Sequence, residues 1–355
     1  MRVAVAGAGA FGRNHLRVVH ELEAAGQGVA LATAVEPDAA RAAETAAKYG
    51  IPVFSTVAEM LAADLKLDAA SVAVPTVHHH AVAAEMLDAG LDLLVEKPLA
   101  ANLKEADDLI ARAERGGHIL QVGHLERFNP AVLAVEPRLN RPMFFEAHRL
   151  SVFTPRALDV DVVLDLMIHD LDIVLAFAAS PVREVRAVGL PILSPKVDIA
   201  NVRVEFESGC VANFTASRVS TERVRKLRFF QPRQYVSIDY ARQDVLVIRV
   251  DDSIPPELAA AVAAGKIDAA ALAKLAAGGA SGPAPGLSFA KPEVTAGEPL
   301  RLEFASFLES VRTRREPRVT ARQGRAALAL ALEIQAAMAA HAQHAGLQDF
   351  FVRGA

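Results

Sequence analysis

Over the first 124 residues, apolar positions gather in short β-prone runs that alternate with stretches of helical, 3.6-residue periodicity. Residues 2–6 (RVAVA) lead at once into the glycines of GAGAFG and a helical pattern from Asn14 to about Ala25. Strand-like runs follow at 29–36, IPVF, 69–76, LDLLVEKP and HILQVGHL, separated by the helical patterns DAARAAETAAKYG, VAEMLAADL, HHHAVAAEMLDAG and LKEADDLIARAERGG. Six strands alternating with helices at this spacing predict an α/β fold: a doubly wound, mostly parallel sheet ending near 124–128.

The texture then changes. MFFEAHRLSVF, VREVRAVGL, DIANVRVEFES, CVANFTASRV, KLRFFQP, QYVSIDY and DVLVIRV follow one another with few helices between them. They predict a C-terminal α+β domain with a large open, mostly antiparallel sheet, and with the helix at 161–177 as its main packed helix. VRVEF and VSIDY alternate cleanly, which leaves one sheet face free for a partner and predicts a homodimer or homotetramer through it. Residues 252–298, rich in Ala, Gly and Pro, read as an irregular insertion, and a final helix at about 320–343 is expected to pack back on the body. The predicted segments are therefore 1–124, 125–320 and 321–355.

Composition narrows the function. The 355 residues are 52% hydrophobic and 23% charged with a net charge of −4, which gives no electrostatic reason to expect a nucleic-acid or anionic-membrane partner. The lone Cys210 excludes an intramolecular disulfide and fits a reducing cytoplasm. The apolar part of MRVAVAGAGAFGR is too short for a signal peptide, and no uncharged run approaches the ~20 residues that span a bilayer.

Candidate chemistry starts with GAGAFG, which sets Gly7, Gly9 and Gly12 at G-x-G-x-x-G spacing between the first strand and the first helix. Gly7 serves the tight turn, Gly9 the close approach to a pyrophosphate and Gly12 the helix–strand packing, with Ala10 and Phe11 at the helix N-terminus. Glu36, at the end of the second strand, is placed to accept hydrogen bonds from ribose hydroxyls and to repel a 2′-phosphate. That favours NAD over NADP, although Arg41 nearby keeps dual specificity open. VEKPLA ends the fifth strand at the carboxyl edge, where such sheets bind ligands; Lys97 there can reach a substrate hydroxyl, and its bond to Pro98 is open to the cis form.

DVVLDLMIHDLD, residues 161–172, is the other unusual stretch. Projected at about 100° per residue, Asp161, Asp165, His169 and Asp172 share one narrow stripe in an otherwise apolar helix. Asp170 projects away from that stripe and reads as a hydrogen-bonded structural carboxylate, while Asp161 and Asp172 are either substrate contacts or the wet ends of the seam. His78, His79 and His80 do not make a metal tract, because successive helical residues point about 100° apart.

Together GAGAFGRNH, VPTVHHHAVAAEMLDAG, LVEKPLA, QVGHLERFNP, LDLMIHDLDIVL and EPLRLEFASFLESVRTRREPRV resemble the Gfo/Idh/MocA oxidoreductase family. Within it, VGHLERFNPAV, EAHRLSVFTPR and RFFQPRQYVSIDY are most similar to the UDP-N-acetylglucosamine 3-dehydrogenase branch, associated with lipid A biosynthesis. The resemblance implies NAD(P)-dependent oxidation of a sugar or cyclitol carbon. It places the active-site lysine on Lys97, an Asp-x-x-x-His pair on Asp165 and His169, and cofactor neighbours on Pro75, Thr76, His79 and Glu96. DVDVVLDL departs from the Gly-Gly pair of many members, so details of that loop do not carry over.

The expected chemistry is removal of a hydroxyl proton as hydride leaves its carbon, with either His169 or Lys97 as the formal base and Asp165 either orienting the imidazole or binding a neighbouring hydroxyl. Arg127 and Asn129 either reach substrate or make an interdomain ion pair. Arg149 and Arg156 are candidate diphosphate ligands, and 217–233, with six basic residues against one acidic, is either a nucleotide-sugar clamp or an exposed interface strand. The leading expectation is an NAD-dependent dehydrogenase acting at C3 of a nucleotide sugar such as UDP-GlcNAc. The alternatives are a free sugar or inositol as substrate, or a non-catalytic NAD-binding regulator.

Overall fold

The computed structural model describes residues 1–154, 160–250 and 287–347, which fall into two compact units. The first comprises Met1–Asn129, Val163–Ala176 and Gly297–Ala336. Its sheet is built from β1 (Arg2–Ala6), β2 (Ala30–Val35), β3 (Val53–Phe54), β4 (Ala69–Val72), β5 (Asp92–Glu96) and β6 (Leu120–Gly123). The strand order is β3-β2-β1-β4-β5-β6 and every pair is parallel, the doubly wound arrangement that the alternating pattern predicts.

The helices start and stop where local chemistry dictates. The Asp38 side chain accepts from Arg41 N at the start of α2 (Ala39–Tyr49), which Gly50 ends in the left-handed conformation. Asn102 Oδ1 accepts from Glu105 N at the start of α5 (Leu103–Gly116) while the Glu105 carboxylate accepts from Ala101 N, and Gly117 is the left-handed stop of the helix. One sheet face packs α1 (Gly12–Ala24) together with α8 (Pro299–Thr313), burying Leu16, Val19, Phe304 and Phe307. The other packs α3 (Val57–Ala62), α4 (His79–Asp88) and α5, with Met60, Met86 and Leu109 in the core. Truncating one of these buried phenylalanines to alanine costs about 3–5 kcal/mol.

The second unit comprises Pro130–Val162, Phe177–Ala296 and the chain from 337 on, as far as these residues are described. It opens on α6 (Pro130–Val135). Its sheet uses β7 (Phe144–Leu150), β8 (Val182–Leu190), β9 (Ile199–Phe206), β10 (Val211–Ser217), β11 (Val224–Gln231), β12 (Gln234–Asp239), β13 (Asp244–Val250) and β14 (Leu287–Ala290). The order is β14-β13-β12-β11-β7-β10-β9-β8, antiparallel throughout except for β7 against β10. Alternating burial along β7, β9 and β10 puts Phe145, Ala147, Val202, Val204 and Phe214 on the covered face. On the other face, one row runs Phe144–Phe230–Tyr235–Ile248–Phe289 across five strands. Phe144 stacks on Phe230 at 5.6 Å, and Phe230 meets Tyr235 at 5.2 Å.

Two expectations change. The helix 161–177 does not belong with the second sheet over most of its length: Val163–Ala176 group with the first unit, and Phe177, packed on Phe229, begins the second. The region 252–298 includes an ordered edge strand, β14; its residues up to 286 lie outside the described residues, as does Arg156. The last helix, α9 (Ala321–His344), enters the first unit's core through Ala321 and Leu328. Cys210 is buried beside the β9–β10 turn, and burial pushes its thiol up to about 11.

Candidate active site

The glycine turn is built by contact limits. Gly7 has φ +93°, and a Cβ there would lie 2.8 Å from Ala73 O; a Cβ on Gly12 would lie 1.9 Å from Gly7 O. At Gly9, by contrast, a Cβ would meet nothing within 4 Å, so the turn has open space on that side. Phe11 begins α1 without a side-chain cap, and Phe11 and Ala10 are exposed, leaving backbone N–H groups and the positive helix end beside that space. These features fit a dinucleotide pyrophosphate.

Glu36 is 4% exposed and already engaged. Its Oε2 accepts from Ala8 N at 2.9 Å, and its Oε1 from Asp38 N and Arg41 Nη2, each at 3.0 Å. Burial alone would raise this carboxyl, but the hydrogen bonds from Arg41, Asp38 and Ala8 hold it below the usual carboxylate range.

The turn after β5 is fixed from several sides. The Lys97–Pro98 bond is cis. Glu96 Oε2 accepts from Lys97 N at 3.2 Å, and its Oε1 meets His15 Nε2 at 3.0 Å; His15 Nδ1 in turn meets Ser71 Oγ at 2.6 Å. Room for that carboxylate exists because position 123 is glycine, where a Cβ would come within 2.8 Å of Glu96 Oε1. His79, expected at the cofactor, is 1% exposed, and its ring nitrogens face Pro98 O at 2.8 Å and Val74 O at 2.9 Å. The ring lies between two main-chain carbonyls beside the Lys97–Pro98 turn and donates to one of them when neutral, the form that burial favours by pushing its pKa down. The other two histidines diverge: His80 meets Asp108 Oδ2 at 2.8 Å while His78 is exposed. Pro75 is exposed and Thr76 half-buried in the short 3₁₀ turn after β4.

The helix carrying Asp165 and His169 is not uniform. Val163–Met167 form one widened π turn that runs directly into α7 (Ile168–Ala178), so a single 100° projection does not hold across the stretch. Asp161 precedes the turn and is half-buried. Lys97 Nζ donates to the Asp165 main-chain O at 2.9 Å, which brings the lysine to the same short helical stretch as His169. Lys97, Asp165 and His169, all half-buried, thus belong to one compact unit, where the sequence suggested that the lysine arrives from a separate domain.

Asp170 and Asp172 are both 2% exposed, so Asp172 is not a wet end of the seam. Its Oδ1 lies 3.7 Å from Arg127 Nη1, an ion pair within the first unit rather than between domains. Asn129 is 3% exposed and donates to Glu126 Oε2 at 3.0 Å. Arg149 belongs to the second unit, where it is buried with its guanidinium 5.2 Å from the Tyr240 ring centre. The basic stretch 217–233 is dispersed: Arg218 is buried beside Asp198, and Arg228 pairs with Glu146 at 3.2 Å.

Four further groups escaped the sequence reading. His15, Gln121, His124 and Glu303 are each 0–1% exposed in the first unit. Burial lowers the His124 pKa, against the opposing charge of Asp172; Lys97, Glu96 and Arg127 also act on it. Glu303 had a legible signal: it sits three residues after Leu300 and four before Phe307, on the apolar face of its helix.

Residues 1–124 match the model of an oxidoreductase family with an NAD-binding Rossmann fold, and residues 132–233 match the GFO/IDH/MocA C-terminal domain. A UDP-N-acetylglucosamine 3-dehydrogenase of Acidithiobacillus ferrooxidans is 38% identical over 241 residues, 68% of this chain and 74% of the relative. A solved structure of such an enzyme from that species superposes with a TM-score of 0.82 at 32% identity, covering 96% of this chain and 98% of the other. A scyllo-inositol 2-dehydrogenase (NAD(+)) of Bacillus subtilis is 27% identical over 235 residues, 62% of this chain and 68% of the relative.

Proposed function

Since the chain belongs to the GFO/IDH/MocA family of oxidoreductases, we propose that it is an NAD-dependent dehydrogenase of a nucleotide sugar, oxidising a secondary hydroxyl to the ketone at C3 of a UDP-GlcNAc-like substrate. The observation that carries the reading is the Lys97 Nζ contact to the Asp165 carbonyl, which sets an ammonium beside the helical stretch that bears His169. Bound at the glycine turn, the nicotinamide cofactor supplies the hydride acceptor.

The protein's own residues handle the proton. Lys97 holds the substrate oxygen and stabilises negative charge developing on it. His169, four residues beyond Asp165, takes part in removing the hydroxyl proton, and Asp165 orients it. Gly7, Gly9, Ala10, Phe11, Gly12, Glu36, Pro75, Thr76 and Glu96 form or support the cofactor cradle, and His79 fixes its turn. The relative at 38% identity favours a nucleotide sugar, whereas the scyllo-inositol 2-dehydrogenase supports a cyclitol as the second reading. The open row of aromatic side chains on the second sheet supports self-association. The lone buried Cys210 is in keeping with a reducing cytoplasm, and among the described residues no helix is long and apolar enough to cross a membrane.

The test is incubation with NAD⁺ and a panel of UDP-sugars, myo-inositol and glucose while NADH absorbance is followed. Turnover of UDP-GlcNAc supports the reading, and turnover of inositol alone moves it to the second. Lys97→Ala and His169→Ala should each lose ~10²-fold or more in kcat with NAD⁺ affinity kept. Near-normal turnover in both variants rejects the mechanism.

A further inference from the structure

The first unit buries an acid that the proposed reaction does not use. Glu303 lies on the covered face of α8 with 0% exposure, and among the described residues neither of its carboxyl oxygens has a hydrogen-bond partner. A carboxylate so placed would give up its hydration and receive nothing in return, so the neutral acid is the form this position admits. The groups around it reinforce that. Glu96 from β5 and Asp172 from α7 both act on it with negative charge, and with burial they hold its proton far above the usual carboxylate range. From β6, Gln121 Nε2 donates to the Glu303 main-chain O at 3.4 Å. From α1, His15 stands edge-on to the neighbouring Phe304 at 5.1 Å and binds Glu96. His124 and Arg127, after β6, share Asp172 as an electrostatic partner, and Lys97 acts on His124 as well.

We propose that Glu303 is a positioning residue held as a neutral carboxylic acid, so that it adds no further negative charge beside Glu96 and Asp172. The role rests on the dehydrogenase reading: an ionised Glu303 would repel Glu96, whose carboxylate accepts from Lys97 N and so holds the turn of the candidate site. No bond is made or broken at Glu303 during turnover; its contribution is the proton that it keeps.

Glu303→Gln replaces the acid by a neutral group of the same shape. In the unfolded chain the glutamate ionises near pH ~4.3, whereas in the folded protein it stays protonated. A raised folded-state pKa gives stability that is fully present below the unfolded value and lost as pH rises toward the folded one. Urea unfolding from about pH 4 to about pH 8 should therefore show wild type losing ground to E303Q, by up to tenfold in the unfolding constant per pH unit. Parallel stability curves would overturn the proposal. Infrared spectra of ¹³C-glutamate-labelled wild type give a second reading that needs no variant. A protonated-carboxyl stretch persisting through neutral pH supports the proposal, and its absence rejects it. In turnover, E303Q should hold its kcat/KM plateau to higher pH than wild type; superimposable profiles would reject the positioning role. Were no substrate turned over, the sugar-dehydrogenase reading would fail, while the infrared and unfolding results would still decide whether Glu303 keeps its proton.

Discussion

Glu36 spends both carboxylate oxygens on its own chain before a ribose is offered to it. One binds the glycine turn through Ala8 N, and the other binds Arg41, so a single side chain ties the phosphate end of the candidate cradle to its adenosine end. Glu36→Ala should weaken NAD⁺ binding about tenfold or more, equivalent to ~1.4 kcal/mol. It should also raise the affinity for NADP⁺ relative to NAD⁺, because Arg41 is released to meet a 2′-phosphate. Calorimetric titration of both cofactors checks this, and equal affinities in wild type would overturn the preference for NAD. At this scale the sequence tells a residue's kind and position but not its partners. Glu36 is legible as a strand-end acid, whereas its bond to Ala8 depends on how β1 and β2 lie together. His79 shows the opposite failure: a motif position suggested a ligand group, and burial turned it into a brace.

Among the elements, the glycine turn and the π turn divide the legible from the hidden. The turn could be read because its requirements are local: a positive φ at Gly7 and space for Gly12 follow from spacing within one strand–helix junction. Packing and ligand space separate experimentally at two of its glycines. Gly12→Ala forces a Cβ onto Gly7 O and should cost ~1–3 kcal/mol of stability, as overpacking does. Gly9→Ala has room in the protein itself, so its thermal midpoint should stay near wild type while NAD⁺ affinity falls through the space a phosphate would take. Measuring melting and binding for both variants tests the assignment; a Gly9→Ala protein with wild-type affinity would contradict it. The widened turn at Val163–Met167 leaves no comparable mark, since a 3.6-residue periodicity fitted to the sequence assumes the geometry that the turn breaks.

On the scale of the molecule, the two sheets were legible as alternating and successive strands, but membership of the two units was not. Residues 163–176 and 297–336 join the first 129, and the buried polar group around Glu303 draws on β5, β6, α7 and α8. No local window contains that cluster. The second sheet's free face can be tested directly. Phe230 is 39% exposed within the aromatic row, and Phe230→Glu should shift the protein toward monomer. The unfolding free energy of each subunit should change by only about 0.5 kcal/mol, as at other surface positions. Light scattering after size exclusion reads the change, and a monomeric wild type would contradict self-association through this face.

The contact between Lys97 and position 165 is made to a main-chain oxygen, and that has a consequence for how the site can diverge. A peptide carbonyl is supplied by every residue type, so the lysine's anchor survives substitution of Asp165 as long as the widened turn does. The carboxylate at that position then answers to His169 and not to the placement of the lysine. Substitutions at 165 would measure the demands of the imidazole, and intolerance to changes that restore a regular helix at 163–167 would measure the demands of the lysine.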